Sequence, residues 1–289
     1  MDKGRLSIVS TPIGNLDDIT VRALATLRGA HTILAEDTRR TRKLLTHHAI
    51  GAKLRAVHAH SSERELERCV AELAGGHHLA LVTDAGTPLI SDPGSALVAA
   101  ATAAGIAIET IPGPSAVIAA LSVCGIPFDG FRFTGFAPRT GGKRKAWLEA
   151  IAADPGASVF FEAPTRLPAT LAELAAHLHE ERRVAVCREL TKLHEEVVRG
   201  TSSELEQRFA AGTRGEITVV VASGPAREPS SGDEDRGQLE PRILTLLDQG
   251  VSPRDVARQL SQELGLSRRK LYAQVQAITA GIPKPISEA

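Results

Sequence analysis

Three short apolar segments of this chain each break into a loop rich in proline and glycine. Residues 79–82 are followed by TDAGTPLISDPG, residues 6–9 by STPIGN, and residues 106–111 by PGPSA. Proline removes a backbone donor and glycine supplies turn geometry, so none of these loops can continue a sheet. Each loop taken singly is also explained by ordinary turn formation. Three such loops after three buried strands predict a small-molecule site at the carboxyl edge of a parallel sheet.

Strand and helix patterns alternate from the amino terminus to residue 113, which predicts a mostly parallel sheet with helices on both faces. A strand is expected at residues 32–35 and a basic helix at 38–48. We expect Asp17 or Asp18 to cap the helix that precedes this strand. From residue 115 the pattern changes, and strands at 159–161, 184–187 and 217–221 indicate a second α/β domain.

The predicted domain organisation is therefore 1–114 for the first α/β domain, 115–223 for the second, 224–238 for an exposed linker, and 239–289 for a small helical domain. The last two of its three amphipathic segments have helix-turn-helix spacing. Arg268, Arg269 and Lys270 would open the final helix and face a phosphate backbone. A helical domain that serves packing or dimerisation explains the same pattern.

Composition excludes several classes of protein. The 289 residues carry no net charge, so no global field draws in nucleic acid, and no apolar run is long enough to span a membrane. The absence of a secretory segment predicts a cytoplasmic protein without membrane attachment. Cys69, Cys124 and Cys187 lack metal-ligand spacing and are expected to be packing residues, so no metal is predicted. The basic cluster at 143–145 fits a solvated helix face as well as a phosphate-binding patch.

Several common catalytic motifs are missing from the sequence, and their absence reduces the number of possible functions. No GxGxxG follows a strand, which argues against a nicotinamide dehydrogenase. The loop around Gly142 and Lys143 fails as a phosphate-binding loop because Arg144 stands where serine or threonine is required. HExxH and GxSxG are absent. The residues alone thus predict an α/β protein with a ligand cleft and leave the ligand open.

Six sequence motifs give more specific information about function than the strand and loop pattern does. They are STPIGNLDDIT (10–20), AEDTRRTRKLL (35–45), DAGTPLISDPG (84–94), IPGPSA (111–116), FFEAPTR (160–166) and CRELTKLHEE (187–196). Together they resemble the ribosomal RNA small subunit methyltransferase I family, whose members have the tetrapyrrole methylase fold. Other members of that fold carry a VGxGPGD-like first loop and lack the AEDTR and EAPTR runs. The resemblance covers residues 6–221, and the carboxy-terminal helices are similar to the family's appended helix-turn-helix-like domain.

The resemblance implies an α/β, class III methyltransferase with a two-domain αβα fold and a small carboxy-terminal helical domain. Its implied activity is S-adenosylmethionine-dependent 2′-O-methylation of a decoding-centre cytidine in 16S rRNA of the small ribosomal subunit, by a homodimer. The donor would lie between the domains. The residues that match the family's donor site are Ile13, Gly14, Ala85, Gly86, Thr87, Ile90, Ser115, Ala116, Phe161 and Leu190.

Methyl transfer to an alcohol requires a base that accepts the hydroxyl proton. Asp37 and Glu36 are the first candidates, because they directly follow a strand end and stand beside Arg39, which would hold a flanking phosphate. The further candidates are Glu162, Glu189, His58 and His60. Each has a structural alternative, such as an ion pair between Asp37 and Arg39 or capping of a helix by Glu162.

Two other functions fit the same chain. One is methylation of a tetrapyrrole or another small molecule, and the other is non-catalytic nucleic-acid binding led by the final helices.

Overall fold

The computed structural model describes residues 4–57, 62–90, 92, 94–224, 231–264 and 268–281, with backbone alone at 231–238, 240, 262–264, 268–270 and 280–281. The chain forms two compact units, Met1–Gly224 and Pro225–Ala289. Within the described residues, no helix combines the length and the apolar character that a membrane crossing requires.

The first sheet contains five parallel strands in the order β3-β2-β4-β1-β5. The strands are β1 (Arg5–Val9), β2 (Thr32–Ala35), β3 (Leu54–Ala56), β4 (His78–Val82) and β5 (Ala107–Ile111). The helices between them are α1 (Val21–Gly29), α2 (Thr38–His47), α3 (Glu63–Ala74) and α4 (Ser95–Ala103). Because β4, β1 and β5 are neighbours, the three proline- and glycine-rich loops emerge side by side.

Apolar layers cover both faces of this sheet, as predicted. Leu27 of α1 and Leu44 of α2 pack with Val9 on one face. Leu73 of α3 and Leu97 of α4 pack with β-strand residues on the other face. All of these side chains are nearly or fully buried, so both faces of the central strands β1, β2 and β4 are covered.

The predicted cap of α1 is wrong. Thr20 is the N-cap residue, and its side chain accepts a hydrogen bond from the Ala23 amide at 3.1 Å. Asp17 and Asp18 instead belong to a short 3-10 turn, which Asn15 caps. A threonine directly before the first helical residue competes well as a cap, and the turn places both aspartates too far upstream.

The second sheet is mixed, with the strand order β6-β7-β10-β8-β9. Its strands are β6 (Phe131–Phe136), β7 (Ala157–Glu162), β8 (Arg183–Arg188), β9 (Glu196–Thr201) and β10 (Ile217–Val221), and its helices are α5 (Ala116–Val123), α6 (Gly141–Ala153), α7 (Leu167–His177) and α8 (Ser202–Phe209). Only β6 and β7 pair in parallel. Helices α6, α7 and α8 cover one face, and α5 covers the other.

Both sheets belong to the compact unit Met1–Gly224, and the predicted boundary at residue 114 falls between β5 and α5. Strand β9 and helix α8 were not predicted. The strand EVVRGT lies at the sheet edge and is polar at both ends, so its pattern is weak. All three cysteines are buried and free, as predicted.

The second unit contains α9 (Ser231–Asp248), α10 (Pro253–Leu264) and α11 (Arg268–Gly281). Its apolar centre is formed by Leu239, Ile243, Val256, Ala257, Leu260, Leu271 and Val275. Helix α9 begins eight residues before the predicted start, inside the predicted linker, because the sequence GDED places acids where the helix dipole favours them. The structure does not describe the side chains of Arg268, Arg269 and Lys270, so their predicted contact with a phosphate backbone stays a prediction.

Candidate methyl-donor site

The three loops at the edge of the first sheet are joined by hydrogen bonds. Thr11 and Gly86 exchange both backbone bonds, with Thr11 N to Gly86 O at 2.9 Å and the reverse bond at 3.0 Å. Ser10 Oγ lies 3.1 Å from Thr87 Oγ1, which donates to Pro114 O at 3.3 Å. Gly86 has a φ of 85°, a conformation that glycine adopts without strain. The loops therefore form one connected wall.

This wall encloses a cavity of about 400 Å³ together with the end of the second sheet. That volume lies in the range of small-molecule sites. Nine of the ten residues that the resemblance assigns to donor binding line it, namely Ile13, Ala85, Gly86, Thr87, Ile90, Ser115, Ala116, Phe161 and Leu190. The structure thus brings three loops of the first sheet and residues of the second sheet to one cavity.

Gly14 is the tenth residue, and it acts in packing rather than as part of the cavity wall. A Cβ on Gly14 would come within 2.5 Å of Thr191 Oγ1 and 2.8 Å of Leu190 O. The neighbouring Asn15 amide donates to Thr191 Oγ1 at 3.1 Å. Gly14 therefore allows the first loop to lie directly against the loop that carries Leu190, which joins the two sheets at the cavity.

Carboxylates dominate the charge of the cavity. Glu36, Asp84 and Asp92 line it, and Arg40 is the cation that faces them, with its Nε 3.5 Å from Asp84 Oδ2. Burial raises the pKa of Asp92 to about 6; a hydrogen bond with Thr83 opposes this shift, and the charges of Glu36 and Asp84 reinforce it. The cavity thus has an excess of negative charge, which favours a cationic ligand.

Asp84 and Asp92 were not singled out from the sequence, although both belong to the loop motif DAGTPLISDPG. Two carboxylates in a glycine- and proline-rich loop after a buried strand were the available signal. Asp84 also accepts a hydrogen bond from the Asp37 amide at 3.0 Å, which ties the end of β2 to the loop after β4.

Asp37, the first candidate for the base, caps a helix instead. Its Oδ1 accepts the Arg39 amide at 2.8 Å, and its Oδ2 lies 3.2 Å from Arg39 Nη2. Hydrogen bonds from Arg39 lower the pKa of the Asp37 carboxyl, which makes it a weaker base. Asp37 and Arg39 are both absent from the set of cavity-lining residues. The structure therefore argues against Asp37 as the base and supports its alternative as a partner of Arg39.

Glu36 is placed differently from its neighbour. Its side chain lines the cavity, and Thr83 Oγ1 lies 3.5 Å from Glu36 Oε2, a long contact that leaves lone pairs of the carboxylate available. Of the two adjacent acids after β2, the second caps α2 and the first faces the ligand space.

The remaining base candidates either accept hydrogen bonds from other side chains or lie outside the described residues. Glu162 lines the cavity, but its carboxylate accepts hydrogen bonds from Thr170 Oγ1 and from Arg166 Nη2, each at 2.6 Å. Glu189 accepts from Lys192 Nζ at 2.8 Å, and this bond lowers the pKa of its carboxyl. His58 and His60 lie outside the described residues.

Potential metal ligands meet at one place in the described part of the chain, where ligand atoms of Asp17, His47 and His48 lie within 4.8 Å of one another. His47 Nε2 is 3.0 Å from Asp17 Oδ1, and His48 Nε2 is 3.0 Å from Leu16 O. These hydrogen bonds occupy one nitrogen of each ring. None of the three residues lines the cavity.

Comparisons with known proteins agree with this geometry. The model of the family described as Tetrapyrrole (Corrin/Porphyrin) Methylases matches residues 5–206. The chain is 43% identical over 272 residues to "Ribosomal RNA small subunit methyltransferase I" of Xylella fastidiosa, covering 93% of this chain and 98% of the relative. Proteins of the same name from Pseudomonas aeruginosa and Mycobacterium tuberculosis are 41% and 40% identical, covering 95% of this chain in each case and 97% and 95% of the relatives.

Solved structures with a similar fold are more distant in sequence. The uroporphyrin-III-C-methyltransferase from Thermus thermophilus has a TM-score of 0.55 and 20% identity, covering 82% of this chain and 99% of that chain. The methyltransferase CobJ has a TM-score of 0.58 and 18% identity, covering 76% and 94%. These likenesses concern the fold alone.

Proposed function

Because this chain belongs to the tetrapyrrole methylase family, and within it to the ribosomal RNA small subunit methyltransferase I family, we propose that its acid-lined cavity presents S-adenosylmethionine to a cytidine 2′-hydroxyl in 16S rRNA. The chain is an S-adenosylmethionine-dependent rRNA methyltransferase; the cytidine, the 2′-oxygen and the small-subunit context are the proposed specificity. The observation that carries the proposal is the meeting of nine donor-site residues around one cavity.

The chemistry of the cavity fits this donor. S-adenosylmethionine, when bound, supplies a methyl group on a positively charged sulfur, and its transfer to an alcohol leaves a neutral thioether and a proton. The excess of carboxylates over arginine in the cavity suits that positive charge and opposes a polyphosphate ligand. Ile90, Phe161 and Leu190 provide apolar walls for an adenosine, while Thr87 and Ser115 offer hydroxyls to an amino-acid group.

Glu36 is the proposed base. Its carboxylate faces the cavity, carries one long hydrogen bond, and lies at the sheet edge where the donor loops emerge. It accepts the proton that the ribose 2′-hydroxyl loses as the oxygen–carbon bond forms. Replacing Glu36 by glutamine keeps the side-chain shape and removes the proton acceptor. We expect the single-turnover rate at saturating donor to fall by about 10² to 10⁴-fold, in addition to any loss of donor affinity from removing one cavity carboxylate.

The phosphate backbone of the RNA would be bound outside the cavity. Helix α2 begins beside the cavity, where Arg40 lies on the wall, and it carries Arg39, Arg42 and Lys43 as exposed cations. Cations beside an acidic cavity would hold flanking phosphates while the cavity itself excludes them. The unit Pro225–Ala289 would add further contacts to the RNA or the ribosomal subunit.

A homodimer is the proposed assembly, and a second copy of the chain would cover an apolar surface of the first unit. Ile118 and Val123, both on α5, are exposed large apolar side chains. Exposed apolar side chains on one helix would be covered by the second copy. Ile118 is 55% exposed, so Ile118→Asp is expected to convert a dimeric mass in light scattering at micromolar concentration into a monomeric one. A wild-type monomer would contradict the proposal.

The proposed function is tested by incubating the protein with S-adenosylmethionine and either isolated small subunits or free 16S rRNA, followed by mass spectrometry of the released nucleosides. We expect 2′-O-methylcytidine at one site. The matched inactive variant is Gly86→Trp, because Gly86 lines the cavity at a φ of 85° and tryptophan would fill the donor space. Methylation of a base, or of a tetrapyrrole in place of RNA, would contradict the proposal. Full RNA-dependent function in Gly86→Trp would indicate a non-catalytic role.

A further inference from the structure

Phe136 is an aromatic residue that lines the cavity and yet remains largely exposed. It is the last residue of β6, and 61% of its surface is accessible to solvent. Phe161, by contrast, is only partly exposed and lies among the donor-site residues. An exposed phenyl ring that also lines a ligand cavity offers an apolar face that a bound ligand would cover.

A bulge in β6 brings Phe136 to the cavity. Phe133 pairs with Val159 and Phe136 pairs with Phe161, so three steps along β6 match two steps along β7. Gly135, with a φ of 72°, is the residue that accommodates the extra step. Without it, alternation would direct Phe133 and Phe136 to opposite faces of the sheet. With it, both rings contact Phe161, at centroid distances of 4.9 and 5.3 Å.

The backbone behind Phe136 is held by a buried ion pair. The Ala137 amide donates to Phe161 O at 3.0 Å, and Arg166 Nη1 donates to Ala137 O at 3.1 Å. The same guanidinium lies 2.6 Å from Oε1 of the fully buried Glu162. Glu162, which the sequence offered as a candidate base, is therefore a positioning residue for the segment that carries Phe136.

A second arginine holds the next residue of this segment. Arg144 Nη1 donates to Pro138 O at 2.7 Å, and Arg144 Nη2 donates to Thr170 Oγ1 at 2.9 Å. Thr170 in turn donates to Glu162 Oε2 at 2.6 Å. Arg144 is 8% exposed, so it is a structural residue and not part of a phosphate-binding patch. Two arginines and one glutamate thus fix the backbone that follows the exposed ring.

We propose that Phe136 is the platform on which the target nucleobase stacks while its ribose 2′-hydroxyl enters the donor cavity. This inference rests on the proposed rRNA methyltransferase function. Single-stranded RNA bases commonly stack on aromatic side chains, and a ring fixed in advance loses little entropy when a base covers it. The ring lies at the rim, whereas the adenosine of the donor has Phe161 and Leu190 as apolar walls, which leaves the face of Phe136 to the RNA.

The test compares Phe136→Ala, Phe136→Leu and Phe136→Trp with the wild type. Leucine keeps an apolar side chain without a stacking face, and tryptophan keeps the face. Phe131→Ala is the matched control, because Phe131 stands at the other end of the same strand, is 45% exposed and does not line the cavity. For each protein the thermal midpoint, the oligomeric mass, the donor dissociation constant by calorimetry, and the single-turnover methylation rate against small-subunit concentration are measured.

We expect kcat/KM for the small subunit to fall about 5- to 150-fold in the alanine and leucine variants, the range that corresponds to loss of one stacked base. Tryptophan should retain most of the activity, Phe131→Ala should match the wild type, and donor affinity should change less than about twofold.

Four results would overturn the role of Phe136: unchanged kcat/KM in the alanine and leucine variants, an equal loss in Phe131→Ala, a tryptophan variant as impaired as alanine, or a loss of donor affinity that accounts for the defect. A wild-type protein that transfers no methyl group to rRNA would overturn the proposed function together with this inference, and so is distinguished from a failure of Phe136 alone.

Discussion

Protonation of Asp92 should control how tightly the protein binds its donor. Burial raises the pKa of this carboxyl to about 6 in the free protein, with Glu36 and Asp84 as the nearby negative charges and Thr83 as a hydrogen-bond donor. A cationic donor in the same cavity binds the ionised form and lowers the pKa. At a pKa of about 6, roughly one molecule in eleven is ionised at pH 5, against about ten in eleven at pH 7. The donor dissociation constant should therefore increase about 10-fold from pH 7 to pH 5.

The assay is calorimetry with S-adenosylmethionine at pH 5, 6 and 7, in two buffers of different ionisation enthalpy, so that proton release is measured with affinity. The donor's ammonium group stays protonated between pH 5 and pH 7, so it adds no pH dependence to the dissociation constant. Asp92→Asn should bind about 10- to 150-fold more weakly at pH 7, from the loss of a charged hydrogen-bonding group, and should show no pH dependence. Asp17→Asn, an exposed aspartate away from the cavity, should keep the wild-type slope.

The pH dependence of stability tests the pKa of Asp92 independently of the donor. Ionisation of Asp92 strengthens donor binding but destabilises the folded protein. Because the folded pKa of Asp92 lies above its unfolded value, the folded protein binds more protons between about pH 4 and pH 6. The contribution of Asp92 to stability is therefore present below that window and is lost as the pH rises through it. Asp92→Asn should melt at a higher temperature than the wild type at pH 7 without donor. A flat wild-type affinity profile, or an unchanged slope in Asp92→Asn, would refute the electrostatic reasoning.

Three further predictions concern neighbouring features. Asp37→Ala should lower the thermal midpoint because it removes the cap of α2, and it should slow single-turnover methylation less than Glu36→Gln does; the reverse order of rates would identify Asp37 as the base. Glu162→Ala should destabilise the protein by on the order of 3 kcal/mol in denaturant unfolding, because it leaves Arg166 without its buried partner; an unchanged midpoint would contradict this. A chain that ends at Gly224 should bind the donor with wild-type affinity but bind small subunits more weakly, and loss of donor binding would contradict the assigned roles.

Much of the fold was predictable because strand ends are marked locally. Proline or glycine follows β1, β4 and β5 within one to four residues, so these three loops were recognisable before their strands were known to be neighbours. The strand order itself depends on which apolar faces pack together, and that information is spread over the chain. Strand β9 was missed because an edge strand needs less apolar surface than a central one.

The site was predictable in its loops and not in its side-chain directions. Adjacent acids such as Glu36 and Asp37 are equivalent in a sequence pattern, and only the start of α2 decides that the second one caps the helix. Asp92 lies in the loop between β4 and α4, where no period of the sequence sets the direction of a side chain. Phe136 reaches the cavity through a bulge, a feature that appears only when the pairing of β6 with β7 is known.

We propose that the cavity formed by the three loops delivers a methyl group to a ribose oxygen of small-subunit rRNA. Single-turnover transfer from isotopically labelled S-adenosylmethionine to small subunits, with the product identified as an intact nucleoside by mass spectrometry, tests this proposal. We expect one label per subunit, on the 2′-oxygen of a cytidine, in the wild type and none in Gly86→Trp. A label on a base, or rRNA methylation that persists in Gly86→Trp, would contradict it.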